Sequence, residues 1–273
     1  MSDYFDFDYD DEYDLFDYDD DIDHIDHIDL FDYEDNDIFE ELENRSSYSS
    51  NRSNNSRPFE YLICLDFEAT CWEQDMNVRI REQKQEIIEF GAVLVNLRSG
   101  AVESEFHEYV RPTNQPILSA YCTNLTGITQ ALVNRQQPFP VVYRKFDNWL
   151  TGIRTAKQLR FATPSMRTGN HRNTTFCSWT NWDLGNFFKW DCARHGIQRP
   201  DYLRAWIDGR KIFKNKFPCE QINFEQALRQ LNVPRTGNAH SAIDDAKTLA
   251  KLMNRLNERG ARICEATTYH FSA

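Results

Sequence analysis

With 273 residues, 40% of them hydrophobic, the chain has material for one domain with an appendage or for two small domains. No stretch approaches the roughly 18 apolar residues of a membrane span, and the N-terminus carries neither the basic nor the apolar region of a secretory signal. The net charge of −12 averages two opposite parts: residues 1–43 hold 21 Asp or Glu and no Lys or Arg, whereas residues 44–273 hold 31 Lys or Arg against 22 acids, a net of +9.

Residues 1–43 repeat Asp with Tyr, Phe or Ile, as in Tyr4-Phe5-Asp6-Phe7-Asp8-Tyr9-Asp10. Carboxylates at every second or third position repel, which opposes collapse onto the aromatics and predicts a disordered tail. The same alternation is a composition of interaction segments. Residues 44–57 are a polar linker. The composition changes at Pro58, so a folded domain is expected over 58–267, with 268–273 as a C-terminal tail. Within it, Tyr61 to Glu68 reads as a buried strand, followed by strands at about 86–97 and 102–110, the last two joined by a turn at Ser99-Gly100. After Pro112 and Pro116 the periodicity becomes helical through Tyr121, Leu125 and Ile128, and again over 141–150. Residues 161–174 read as a polar loop and Phe176 to Trp179 as a short strand. Helices are expected at 183–194, at 223–232 with Asn223 as N-cap, and at 241–258, where Ala242, Ala246, Leu249, Met253 and Leu256 form one stripe. Strands first and alternating elements later predict an α/β layered domain. The seven cysteines (64, 71, 122, 177, 192, 219 and 264) are odd in number and include no C-x-x-C pair, which argues against a zinc site or a disulfide framework. Reduced thiols place the expected location inside the cell, in the cytoplasm or nucleus.

Three local features bear on chemistry. Asp66 and Glu68 interrupt an apolar strand and share one face of it. Buried together they repel unless a proton or a cation intervenes, and oxygen-only ligands favour Mg²⁺ or Mn²⁺; the pair equally fits a strand end facing water. Asp245 points along the apolar stripe of the last helix, while Asp244 lies with Lys247 and Thr248 on the polar side. His240 stands on the loop before that helix, within reach of the same centre, or serves as a surface or capping histidine. Asp183 lies where a strand yields to a helix, a place that also suits an N-cap.

As a set, D-x-E on a strand, an Asp opening a middle helix and H-x₄-D near the end resemble the DEDDh exonuclease superfamily. The match is nearest to its enhanced-RNAi (ERI) and Snipper-like subgroup. It rests on Cys64-Leu-Asp66-Phe-Glu68-Ala-Thr-Cys71-Trp72, Glu86-Ile-Ile-Glu89-Phe-Gly-Ala-Val93, Leu125-Thr-Gly-Ile128, Trp182-Asp183-Leu184 and His240-Ser-Ala-Ile-Asp-Asp245-Ala246, spread over roughly 60–265. The resemblance implies a ribonuclease H-like mixed sheet flanked by helices. It also implies two Mg²⁺ ions, replaceable by Mn²⁺, held about 4 Å apart by Asp66, Glu68, Asp183 and Asp245. His240 would be the general base, and nucleoside 5′-monophosphates would leave from the 3′ end of RNA. Ala69 and Thr70 would lie against the terminal nucleotide. Trp182 would stack on a base, or belong to the core. The sequence departs from the subgroup at Thr180-Asn181, where Gly-Asp is expected, and in a longer 154–175 segment.

Residues 144–217 carry 15 Lys or Arg against 5 Asp. They read as a surface that tracks a nucleic-acid backbone, with Arg194, Arg199, Arg204, Arg210, Lys211, Lys214 and Lys216 as candidates. DNA is an alternative substrate, since nothing in the sequence identifies a group that reads the 2′-OH. An alternative of another class is a catalytically silent nucleic-acid-binding protein. The acidic tail suggests a basic protein partner, or an intramolecular contact with the domain that competes with nucleic acid.

Overall fold

The computed structural model describes residues 57–73, 85–165 and 171–269. The expected tail and linker up to residue 56, residues 166–170 of the polar loop, and residues 270–273 lie outside the described residues. Strands β1 (Tyr61–Ala69), β2 (Ile87–Asn96) and β3 (Val102–Arg111) form an antiparallel meander. Beyond β3 comes the two-residue β4 (Gln137–Pro138). On the other side of β1 lie β5 (Thr174–Ser178) and β6 (Ala205–Asp208), both parallel to their inner neighbour, and then β7 (Thr268–Tyr269), antiparallel to β6. The strand order β4-β3-β2-β1-β5-β6-β7 makes β1 and β2 central, which is why both are so apolar.

Alternation along β1 divides the core. Ile63, Leu65 and Phe67 face a layer built by helix α3 (Phe139–Lys157) and helix α4 (Phe188–Arg194). Leu62 and Cys64 face the opposite layer, made by α5 (Gly209–Lys216), α6 (Phe224–Leu231) and α7 (Ala242–Glu258). The short helices α1 (Ala120–Thr126) and α2 (Gln130–Val133) enclose a smaller cluster with Cys71, Ile88 and Leu118. The layered α/β reading therefore holds, and the seven cysteines are all free thiols.

Several boundaries differ from expectation for local reasons. Helix α3 extends well beyond 141–150: Pro140 suits its first turn, and Gln158 closes it in a left-handed conformation. The expected helix 183–194 is two pieces, a π-helical turn over Trp182–Phe187 and then α4. Asn223 does cap α6, in a reciprocal capping box with Gln226. Thr248, expected on the polar side of α7, is buried and donates to Asp244 O at 2.7 Å. The sheet runs on to Tyr269, past the domain end expected at 267.

β6 and α5 were hidden in what read as a basic stretch. Four residues are too few to show alternation, and α5 has only Ile212 and Phe213 as large buried positions. Asp208 links the two elements, accepting from Lys211 N at 2.9 Å as the N-cap of α5. The basic stretch is also not one surface. Arg194 pairs with Asp191, Arg199 bonds Leu203 O and lies over the Trp206 ring, and Arg204 pairs with Asp201, so these three brace the framework. Lys214 and Lys216 are exposed, and Arg210 and Lys211 half-buried.

Candidate active site

The even-numbered positions of β1 place Asp66 and Glu68 on the face of Leu62 and Cys64, toward α7. α7 can come close there because Gly91 lies beneath its first turn: a Cβ on Gly91 would sit 2.3 Å from Ala242 C and 2.4 Å from Ile243 N. Gly91 is also the register partner of Asp66. The missing side chain thus brings Asp245, on the first turn of α7, up to the strand. Carboxylate oxygens of Asp66, Glu68 and Asp245 all lie within 4.8 Å of one another.

Asp183 arrives from the other layer. The π-helical turn aims it inward, and its Oδ1 accepts from Phe67 N at 3.0 Å, between the two β1 carboxylates. It is not an N-cap; Asn181 holds that position without a side-chain capping bond. His240 has a left-handed backbone (φ 57°) and donates its N–H to Asp245 Oδ2 at 3.1 Å. The loop histidine is therefore tied by its backbone to the last carboxylate, and its side chain is half-buried. Ala69 and Thr70 are buried; Thr70 Oγ1 accepts from Glu86 N at 3.0 Å and Thr70 N donates to Glu86 O. Trp182 is half-buried with its ring against Phe187 and Trp190.

Burial and crowding show in the protonation of the group. Burial, then the charges of Asp183, Asp245, Glu68 and Glu89, raise the Asp66 carboxyl well above its ordinary value. Burial, then Asp245, Glu89 and Asp183, do the same to Glu68. Burial pushes Asp183 up to about 7 in spite of the Phe67 N–H. Asp245 is pushed up to about 6, with Arg235 and the His240 N–H opposing the effect of burial. Bringing four carboxylates together at this cost fits a divalent cation bound through oxygen ligands, which removes the repulsion that burial magnifies.

Sequence reasoning did not assign roles to Glu89 and Arg235 or to their partners His107 and Glu225. Glu89 is buried, pairs in register with Glu68, and meets His107 Nε2 at 2.8 Å. Its place in a buried run was the available signal. Arg235, from the loop after α6, pairs with Asp245 and with Glu225. Nothing in the local sequence marks that contact.

The exonuclease family model matches residues 63–253. The 3′-5′ exonuclease Snipper of Drosophila melanogaster is 43% identical over 206 residues, which are 75% of this chain and 72% of that protein. ERI1 exoribonuclease 2 of Xenopus laevis is 40% identical over 223 residues, 79% of this chain but 32% of that protein, so the chain spans about a third of this relative's length. The solved nuclease domain of 3′hExo, a DEDDh family member bound to rAMP, superposes with a TM-score of 0.67 at 29% identity, covering 79% of this chain and all of that one.

Proposed function

The chain belongs to the DEDDh exonuclease family, in its ERI/Snipper-like subgroup, and from that premise we propose that it shortens RNA from the 3′ end, releasing nucleoside 5′-monophosphates. One observation carries this reading: Asp66, Glu68 and Asp245 converge within 4.8 Å in a largely buried site, with Asp183 bonded to the backbone between the first two. The donor set is oxygen only, which suits Mg²⁺ or Mn²⁺, and we assign Mg²⁺.

Asp66, Glu68, Asp183 and Asp245 would hold the ions through their carboxylate oxygens. When bound, such ions supply an activated water and charge stabilisation for the leaving oxygen. His240 accepts the proton of the attacking water, which requires a neutral imidazole near pH 7. Its placement depends on the bond from its own N–H to Asp245 Oδ2. Trp182, on the turn that carries Asp183, offers a partly exposed ring against which a base can stack. RNA is favoured over DNA because the similar solved nuclease holds rAMP and one of the similar proteins is an exoribonuclease. Residues 1–43, with their 21 acids, are assigned a contact with the cationic side chains of the domain that competes with nucleic acid.

The test is digestion of 5′-labelled RNA and the matching DNA, in Mg²⁺ or EDTA, beside Asp66→Ala/Glu68→Ala. The expected result is a ladder shortening from the 3′ end, faster on RNA, lost in EDTA and in the double variant. Binding without shortening of either polymer would instead identify a silent binding protein.

A further inference from the structure

Asp245 is held at both oxygens. Oδ2 accepts from His240 N at 3.1 Å, and Oδ1 accepts from Arg235 Nη1. Arg235 is itself anchored: its Nε donates to Glu225 Oε1 at 2.8 Å, its Nη2 donates to the same oxygen, and its guanidinium lies over the Phe224 ring, 5.5 Å from the centroid. Glu225 and Phe224 belong to the first turn of α6, so the chain of contacts joins α6 to the first turn of α7. The loop between them is pinned as well, by Thr236 N to Thr248 Oγ1 at 3.0 Å and Asn238 N to Asp244 Oδ2 at 2.9 Å.

Three properties separate this arrangement from an ordinary surface ion pair, which contributes little. The Asp245 side chain is only 11% exposed and that of Arg235 21%. The guanidinium bridges two carboxylates at once, which a planar fork can do and an ammonium on a flexible stem does poorly. Each carboxylate oxygen has two lone-pair directions, so Asp245 can accept from Arg235 and His240 and still present free lone pairs toward Asp66 and Glu68.

We propose that Arg235 is a positioning residue, which, anchored by Glu225, fixes the Asp245 carboxylate for the divalent ion and through it the backbone of His240. The assignment rests on the metal-dependent reading of the site. Groups that orient a ligand from behind change metal affinity or activity by about 10–100-fold when replaced.

The experiment is Mn²⁺ titration of the full chain by calorimetry, with RNA cleavage measured in parallel, for wild type, Arg235→Gln, Arg235→Lys, Glu225→Gln and Asp66→Ala/Glu68→Ala. The expected result is Mn²⁺ affinity weakened about 10–100-fold in both Arg235 variants, and in the same direction but less in Glu225→Gln. The Arg235 variants should lose kcat with little change in KM for RNA, and regain part of it at high Mn²⁺. Affinity unchanged or tighter in a folded Arg235→Gln overturns the assignment, and full rescue by Lys overturns the requirement for the fork. Where Arg235→Gln fails to fold, Glu225→Gln decides, because it leaves Asp245 and Arg235 in place. If the wild type binds no Mn²⁺, or the double variant binds as well as it does, the metal-dependent reading falls and the assignment with it; a normal wild type with unaffected Arg235 variants removes the assignment alone.

Discussion

Among the described residues, two places bring acidic side chains close enough to share an ion, and of these two only one has the chemistry to need it. Ligand atoms of Glu86, Asp191 and His195 lie as near one another as those of Asp66, Glu68 and Asp245. Yet Glu86 already accepts from Thr113 N, Thr113 Oγ1, Asn114 N and Gln115 N, at 2.7–3.1 Å. Asp191 accepts from Ile87 N at 2.9 Å and from Arg194. These carboxylates are satisfied by the protein and tie β2, α4 and the loop after β3 together. At the other cluster, Asp183 is met by two backbone N–H groups, that of Phe67 and its own, and Asp245 has two donors, whereas among the described residues no donor reaches the Asp66 or Glu68 side chain. Proximity of carboxylates is therefore a poor guide to a metal site; the balance between charge and donors is the better one.

Removing one charge from each cluster tests this contrast most sharply. Asp66→Asn should cut cleavage by at least about 10²–10³-fold, the scale of losing one preorganised electrostatic partner. The same change should leave the metal-free Tm unchanged or higher, because it relieves repulsion. Glu86→Gln should keep metal-dependent cleavage but cost about 1–3 kcal/mol through its deprived donors, a Tm drop of about 3–10 °C for a domain of this size. Thermal melts and cleavage rates on the same preparations would show whether the pattern is reversed, which would exchange the roles of the two clusters.

Gly91→Ala attacks the packing that assembles the first cluster. The added methyl would overlap the backbone at Ala242 and Ile243, so α7 must shift and take Asp245 and His240 with it. Overpacking costs about 1–3 kcal/mol, and displacement of the site by about 1 Å should lower kcat about 100-fold. A variant with wild-type kcat would show that the close approach is not what places Asp245.

The two clusters should also differ in how pH acts on them. The carboxyls of the first bind protons more tightly in the folded chain than in the unfolded one. The stability they contribute is complete below the unfolded value of about 4 and is lost as pH rises through about 6 for Asp245 and about 7 for Asp183. In EDTA, Tm should therefore fall between about pH 5 and about pH 8, and Mg²⁺ should restore it at the upper end while doing little at the lower. A metal-free Tm that rises over this range would contradict the desolvated, donor-poor site.

The smallest effect concerns the acids of residues 1–43, assigned the domain's own cationic side chains as partners. Deleting residues 1–57 should raise cleavage at low salt by roughly tenfold or less. The gain should shrink as ionic strength shortens the screening length to about 10 Å near 0.1 M. Equal rates with and without these residues at every salt concentration would remove the contact.

What the sequence by itself determined was local. Period-2 alternation put Asp66 and Glu68 on one face of β1, and period 3.6 turned Asp245 toward the core from α7. Asn223 announced the start of α6 as its N-cap. The segregation of charge between residues 1–43 and the rest was equally legible. Only the tertiary structure decided which face meets which. The bond from Phe67 N to Asp183 spans 116 positions, and that from Ile87 N to Asp191 spans 104. The pairing of Glu68 with Glu89 depends on strand register, and the reach of Arg235 to Asp245 on how a loop folds back over a helix. Gly91 shows the reason. In the sequence it is a weak point in a strand; in the fold it is the gap through which α7 delivers a carboxylate, because the space a side chain would need is fixed by elements about 150 residues away.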